Sequence, residues 1–132
     1  MENILSEGSP KTPRIVVDNE SGKIEVSGRS NPENSREFFT PFMDWLTAYL
    51  ENPAELTTIT INLEHFNTSS SKYVLDVLKR IKKLDEEDHA FKIIWMYEDD
   101  DEEMLDTAEA YEAMVGLKFE KVGYPEQHNK KH

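Results

Sequence analysis

The stretch from Phe66 to Lys72 concentrates side chains that could handle a phosphate group. Its sequence, FNTSSSK, places an asparagine and four hydroxyl residues after a strand-like run and before an amphipathic run of helical period. A helix start presents unpaired backbone N–H groups and a partial positive charge, so an anion gains about 0.3–1 kcal/mol there. Lys72 lies four residues after Thr68, a spacing that brings an ammonium group toward a phosphate on Thr68.

The same residues have an ordinary structural explanation. Asparagine, serine and threonine are the usual N-cap residues of helices, so the spacing alone favours capping over chemistry. His65 could combine with Ser69 or Ser70 and an acid in a hydrolase triad, but no nucleophile-elbow sequence surrounds either serine. We therefore expect no catalytic residue here, and phosphate chemistry stays open as the functional alternative to capping.

The acidic run from Glu98 to Glu103, which contains Asp99, Asp100 and Asp101, is a second stretch that could bind something. Carboxylates bind hard cations, but the run lacks the glycine spacing of a calcium loop, and acidic side chains also stabilise helix starts. Three interpretations stay open: a solvated helix start, a negative surface for a basic partner, and a metal site. The first is favoured, and we expect neither a metal nor a cofactor.

The composition limits the classes of function. The 132 residues carry a formal net charge of -12, with 27 acidic against 15 basic side chains, which disfavours a nucleic-acid partner. The absence of cysteine excludes disulfides and thiol nucleophiles. No run approaches the ~20 apolar residues of a membrane span, and no export signal is recognisable, so we expect a cytoplasmic protein without a membrane partner.

The spacing of apolar residues predicts a single α/β domain that positions both stretches. A hairpin at 13–28 is followed by three helices that alternate with three strands, which implies right-handed crossovers and a mixed sheet of about five strands. Asn31 is the expected N-cap of the first helix, although Pro41 also permits a start near Phe38. We expect a flexible leader at 1–11, the domain at 12–123 and a tail at 124–132.

A third polar group follows the hairpin as the hydroxyl cluster follows its own strand. It consists of Glu33, Asn34 and Ser35 in the sequence PENS. If the two preceding strands run parallel, both helix starts lie at the same edge of the sheet, where α/β folds tend to bind ligands. We therefore expect PENS to border the surface around Thr68, with helix capping as its structural alternative.

Three motifs occur together in an order that resembles the SiaC family of bacterial regulatory phosphoproteins: NPENS at 31–35, FNTSSSK at 66–72 and WMYEDDDEEML at 95–105. The likeness covers roughly residues 12–123 and implies a fold similar to anti-sigma-factor antagonists, the STAS domains. It also implies that Thr68 accepts a phosphate, with Asn67, Ser69, Ser70 and Lys72 as the matching neighbours. The partners implied are a protein kinase, a PP2C-type phosphatase and a diguanylate cyclase that the unphosphorylated form activates.

These observations predict a non-enzymatic regulatory protein whose Thr68 is reversibly phosphorylated. The expected partner surface includes Glu33, Asn34 and Ser35 together with Asp99, Asp100 and Asp101. An anti-sigma-factor antagonist is the alternative in the same broad class and differs only in its partner. A small carboxylate-dependent metalloenzyme that uses the acidic run is the alternative from another class.

Overall fold

The computed structural model describes residues 2–125, which fold into six strands and three helices. In chain order the elements are β1 (Asn3–Glu7), β2 (Arg14–Asp18), β3 (Lys23–Ser30), α1 (Ser35–Glu51), β4 (Leu56–Phe66), α2 (Thr68–Glu86), β5 (Ala90–Glu98), α3 (Glu102–Val115) and β6 (Glu120–Tyr124). The predicted α/β class, with a hairpin before alternating helices and strands, is confirmed.

All six strands form one sheet whose spatial order follows the chain order. The β1–β2 and β2–β3 pairs are antiparallel, whereas β3–β4, β4–β5 and β5–β6 are parallel. One helix joins each parallel pair, and right-handed crossovers that all step in the same direction lay the three helices on one face. Accordingly, α1 packs beside α2, and α2 packs beside α3. No helix within residues 2–125 is long and apolar enough to cross a membrane.

The hydrophobic core lies between the helical layer and the sheet. Trp95 of β5 and the α1 residues Phe39 and Phe42 are among its largest fully buried side chains. Trp95 stacks on Phe119 with ring centroids 6.0 Å apart and meets Tyr111 of α3 edge-on at 5.8 Å. This aromatic cluster holds α3 and the chain before β6 against β5.

The strand β1 lies inside the segment expected to be a flexible leader at 1–11. It pairs with β2, so the sheet has six strands rather than about five. The polar composition of residues 1–11 did not indicate this strand. Its hydrogen bonds to β2 are made by the backbone, and Leu5 is its only residue that packs against the core. At the other end, Tyr124 completes β6 instead of opening the tail, and residues 126–132 of that tail lie outside the described residues.

The first helix begins at Ser35, and its N-cap is Asn34 rather than the predicted Asn31. The Asn34 side-chain oxygen accepts a hydrogen bond from the backbone N–H of Glu37 at 3.1 Å. Pro41 lies within this helix, on its exposed side, where water can reach the carbonyl that loses its N–H partner. The alternative start near Phe38 is therefore also wrong, because the Asn34 cap extends the helix upstream of it.

Glu112 joins the end of α3 to the chain that leads into β6. Its carboxylate accepts hydrogen bonds from the backbone N–H of Phe119 at 2.6 Å and from Lys121 Nζ at 2.7 Å. Partial burial acts to raise the pKa of Glu112, but these two hydrogen bonds and the lysine charges outweigh it, so the pKa lies below its usual value. The ionised form therefore stabilises the folded protein.

We predict that Glu112→Gln lowers the free energy of unfolding by about 1–3 kcal/mol at neutral pH, because a charge-assisted pair is lost. The effect is present above the unfolded glutamate pKa of about 4.3 and shrinks as the pH falls through the lowered folded value. Urea unfolding at several pH values measures it. Glu109→Gln, an exposed change on the same helix, is the control. Equal losses in both variants, or a Glu112→Gln loss that does not change with pH, would contradict the prediction.

Candidate functional site

The carboxyl ends of the parallel strands and the starts of all three helices meet at one edge of the sheet. The strands β3, β4 and β5 run in the same direction, and α1, α2 and α3 begin within a few residues of their ends. The N-caps are Asn34, Asn67 and Asp101. The positive ends of three helix dipoles therefore lie along this edge, which is where α/β folds tend to bind ligands.

The first turn of α2 is capped by Asn67. Its side-chain oxygen accepts a hydrogen bond from the backbone N–H of Ser70 at 2.8 Å, and its carbonyl accepts one from the N–H of Ser71 at 3.0 Å. The capping role expected for the hydroxyl cluster is therefore confirmed for Asn67. Thr68 is the first residue of the helix and is exposed. Within residues 2–125, its hydroxyl makes no hydrogen bond.

Two serine pairs connect this turn to the chain around PENS. The Ser30 hydroxyl donates to Ser70 Oγ at 2.7 Å, and both serines are fully buried. The Ser35 and Ser69 oxygens lie 2.6 Å apart. The prediction that PENS borders the Thr68 surface is confirmed as geometry, because the parallel pairing of β3 and β4 sets the two helix starts side by side.

Asn67 also contacts the preceding strand and its loop. Its backbone N–H donates to the Ser30 carbonyl at 2.9 Å, and its side-chain amide donates to Asn31 Oδ1 at 2.9 Å. Asn31, wrongly expected as a cap, thus holds the cap of the neighbouring helix. The roles of Ser30 and Asn31 were not predicted, although the final position of a strand beside a hydroxyl-rich helix start is a signal that could have found them.

Lys72 and His65 flank the cluster and are both exposed. The Lys72 ammonium lies 6.0 Å from the ring centroid of Tyr73, and no carboxylate among residues 2–125 forms an ion pair with it. Its role beside a phosphate on Thr68 stays a prediction. His65 makes no hydrogen bond to Ser69 or Ser70 in the described part of the chain, so the geometry gives no support to a hydrolase triad.

The acidic run forms the neighbouring part of the same edge. Asp99 and Asp100 are exposed in the turn after β5, and Asp101 accepts a hydrogen bond from the Met104 N–H at 3.0 Å. Asp101 therefore caps α3, and the choice between a solvated surface and a partner surface for the run stays a prediction. Among residues 2–125, no group of three or more histidine or acidic side chains is arranged to hold a metal ion.

Tyr124, at the end of β6, lies near several carboxylates of this edge. Its hydroxyl donates to Asn62 Oδ1 at 2.9 Å. Partial burial raises the pKa of Tyr124, and the carboxylates of Glu98, Glu64 and Asp101 raise it further. Carboxylates at the end of β4, at the end of β5 and at the start of α3 thus lie near Tyr124.

The fold and this edge define a small α/β domain whose helix starts and polar side chains share one edge. The SiaC family of regulatory phosphoproteins matches residues 6–124, and the chain belongs to this family. It is therefore a regulatory protein and not an enzyme. A protein of Pseudomonas aeruginosa strain UCBPP-PA14 is 28% identical over 119 residues, which are 90% of this chain and 94% of that protein.

Solved structures with the same fold include SiaC of Pseudomonas aeruginosa, at a TM-score of 0.79 and 25% identity, covering 96% of this chain and 99% of that one. Another is the complex of the diguanylate cyclase SiaD with its activator SiaC from the same organism, at a TM-score of 0.84 and 26% identity. That match covers 90% of this chain and 98% of the matched chain. The apo-SiaC structure gives a TM-score of 0.82.

We predict that the buried Ser30–Ser70 pair contributes to stability as a unit. Ser70→Ala should lower the free energy of unfolding by about 1–3 kcal/mol, because the buried Ser30 hydroxyl loses its acceptor. The double change Ser30→Ala with Ser70→Ala removes both polar groups and should cost less than the sum of the single changes. Urea unfolding of the three variants measures this.

Ser27→Ala, on the same strand but only half-buried, is the control for the loss of a serine and should shift stability by no more than about 0.5 kcal/mol. Strictly additive losses in the double variant would show that the two hydroxyls do not depend on each other.

Proposed function

We propose that this chain is the activating partner of a diguanylate cyclase in the cytoplasm, and that phosphorylation of Thr68 switches the activation off. A protein kinase adds the phosphate and a PP2C-type phosphatase removes it. The observation that carries the proposal is the exposed Thr68 hydroxyl at the first position of α2, in a stretch whose sequence resembles a motif of the SiaC family. The activator in the similar SiaD–SiaC complex supports a cyclase as the effector.

The surroundings of Thr68 suit an acceptor of phosphate. Its hydroxyl is exposed, whereas Asn67, Ser69 and Ser70 on either side use their polar groups in hydrogen bonds. The Thr68 hydroxyl is thus available to a kinase, and the residues on both sides of it are held by hydrogen bonds. Lys72, one helical turn further, is the nearest cation along the helix for a charge-assisted contact with the phosphate.

The folded protein itself tolerates the phosphate. The Asn67 cap satisfies the Ser70 N–H, while the N–H groups of Thr68 and Ser69 have no acceptor among the residues that the structure describes. An anion at this helix start is stabilised by about 0.3–1 kcal/mol, and by up to ~2 kcal/mol where it is partly buried. Phosphorylation therefore changes the surface without unfolding the domain.

The phosphate has a larger effect on binding of the effector than on folding. A phosphate adds about -1.5 to -2 charges, which is a small change against the net charge of -12. Its effect is therefore local. If the effector covers the Thr68 surface, burying a dianion without paired cations costs several kcal/mol, and every ~1.4 kcal/mol is a tenfold loss of affinity. The nearby carboxylates of Glu33 and of Asp99, Asp100 and Asp101 form the rest of the proposed partner surface.

The phosphoacceptor is tested by incubating the protein with ATP and its kinase and then measuring intact mass and mapping the site. We expect one phosphate on the wild-type protein and none on Thr68→Ala. The exposed Thr40, which lies on α1 and bonds only the Arg36 carbonyl, provides the control variant Thr40→Ala, which should be phosphorylated normally. Full phosphorylation of Thr68→Ala would rule out the assignment.

The switch is tested by measuring the affinity of the diguanylate cyclase for the unmodified protein, the phosphoprotein and Thr68→Ala. Thr68→Ala should bind and activate the cyclase, whereas the phosphoprotein should bind at least about tenfold more weakly. Removal of the phosphate by the phosphatase should restore binding. Equal affinities would contradict the switch, and binding to an anti-sigma factor instead of a cyclase would support the alternative partner.

A further inference from the structure

We infer that Ser35 is a positioning residue for phosphorylation of Thr68. It acts through Ser69, which it contacts across the gap between the starts of α1 and α2. The inference rests on the proposed function and adds to it a residue on a different helix. Ser35 does not touch Thr68, and its own helix is capped by Asn34, so a capping role does not account for its hydroxyl.

A series of hydrogen bonds leads from Ser35 to the cap of α2. The Ser35 and Ser69 oxygens lie 2.6 Å apart, and either hydroxyl can donate. The Ser69 oxygen also lies 3.2 Å from Asn67 Oδ1, which accepts. Asn67 Oδ1 also accepts from the N–H of Ser70 at 2.8 Å. A continuous series of hydrogen bonds thus runs from α1 through Ser69 to the cap of α2.

Ser35 is the more rigid end of this series of hydrogen bonds because it is buried. Ser35 is only 6% exposed, whereas Ser69 is exposed. Thr68 lies between Asn67 and Ser69, and both of these neighbours are held by residues of the β3–α1 segment. The first turn of a helix has few internal hydrogen bonds and is the turn most prone to fray. The contact with Ser35 therefore limits the movement of the backbone that carries the acceptor hydroxyl.

This restraint bears on the transfer step. The reaction forms a bond between Thr68 Oγ1 and the γ-phosphorus of ATP, breaks the bond to the bridging oxygen of the departing ADP, and passes the hydroxyl proton to a base of the kinase. Such a transfer depends on holding the two reacting atoms in line, so a displaced acceptor slows the step more than it weakens binding. The change should therefore appear in kcat rather than in KM.

The test compares Ser35→Ala, Ser69→Ala and the double variant as substrates of the kinase. We expect Ser35→Ala to lower kcat about three- to tenfold with KM changed less than about twofold, because one hydrogen bond is lost. The double variant should lose no more than Ser69→Ala, since both changes remove the same contact. Amide hydrogen exchange should become faster at Ser69 and Ser70 in Ser35→Ala, a readout that does not involve the kinase.

Thr40→Ala removes an exposed hydroxyl of the same helix and should leave kcat and exchange unchanged. Should Ser35→Ala fold poorly, the contrast between Ser69→Ala and Ser69→Thr carries the test, because only threonine keeps a hydroxyl at this exposed position. A wild-type kcat for Ser35→Ala, or losses that multiply in the double variant, would overturn the inference alone. A wild-type protein that takes no phosphate on Thr68 would overturn the proposed function, and this inference with it.

Discussion

The parallel pairing of β3 with β4 is the constraint on which the rest of the site depends. It sets Ser30 beside Phe66 in the ladder, so that the chains leaving the two strands start α1 and α2 next to each other. The serine pairs and the contact between Asn31 and Asn67 follow from that register. A shift of the register by one residue would turn Ser30 to the opposite face and leave Ser70 without its donor.

Periodicity predicted the fold well where apolar side chains determine the element. The helix around Val74, Val77 and Leu78 and the strand around Ile59 and Ile61 were predicted and are core elements. Prediction was poorer where backbone hydrogen bonds, or a choice between two capping residues, determine where an element lies. β1 has few apolar residues to reveal it, and Asn31 and Asn34 are equally good caps in sequence, so only the path of the chain selects Asn34.

The candidate site, like the fold, was predicted only in part. The nearness of PENS to Thr68 followed from parallel strands, since topology alone brings their ends together. Ser30, by contrast, looked like an ordinary residue at the end of a strand. Its role depends on a hydrogen bond to Ser70, 40 positions later in the chain. Pairings of this kind are set by tertiary register and leave no local pattern. The family resemblance, rather than periodicity, led to the proposal of Thr68 as the phosphoacceptor.

The sequential strand order also divides the site along the chain. The contacts that restrain the residues beside Thr68 come from positions 30–35, whereas the carboxylates around Tyr124 come from Glu64, Glu98 and Asp101 on later or separate elements. Glu64 shares the β3–α1–β4 unit with positions 30–35, whereas Glu98 ends β5 and Asp101 precedes α3, outside that unit. Substitutions after β5 or at the start of α3 therefore change the charge of this edge while they leave the hydrogen bonds to Asn67 and Ser69 in place.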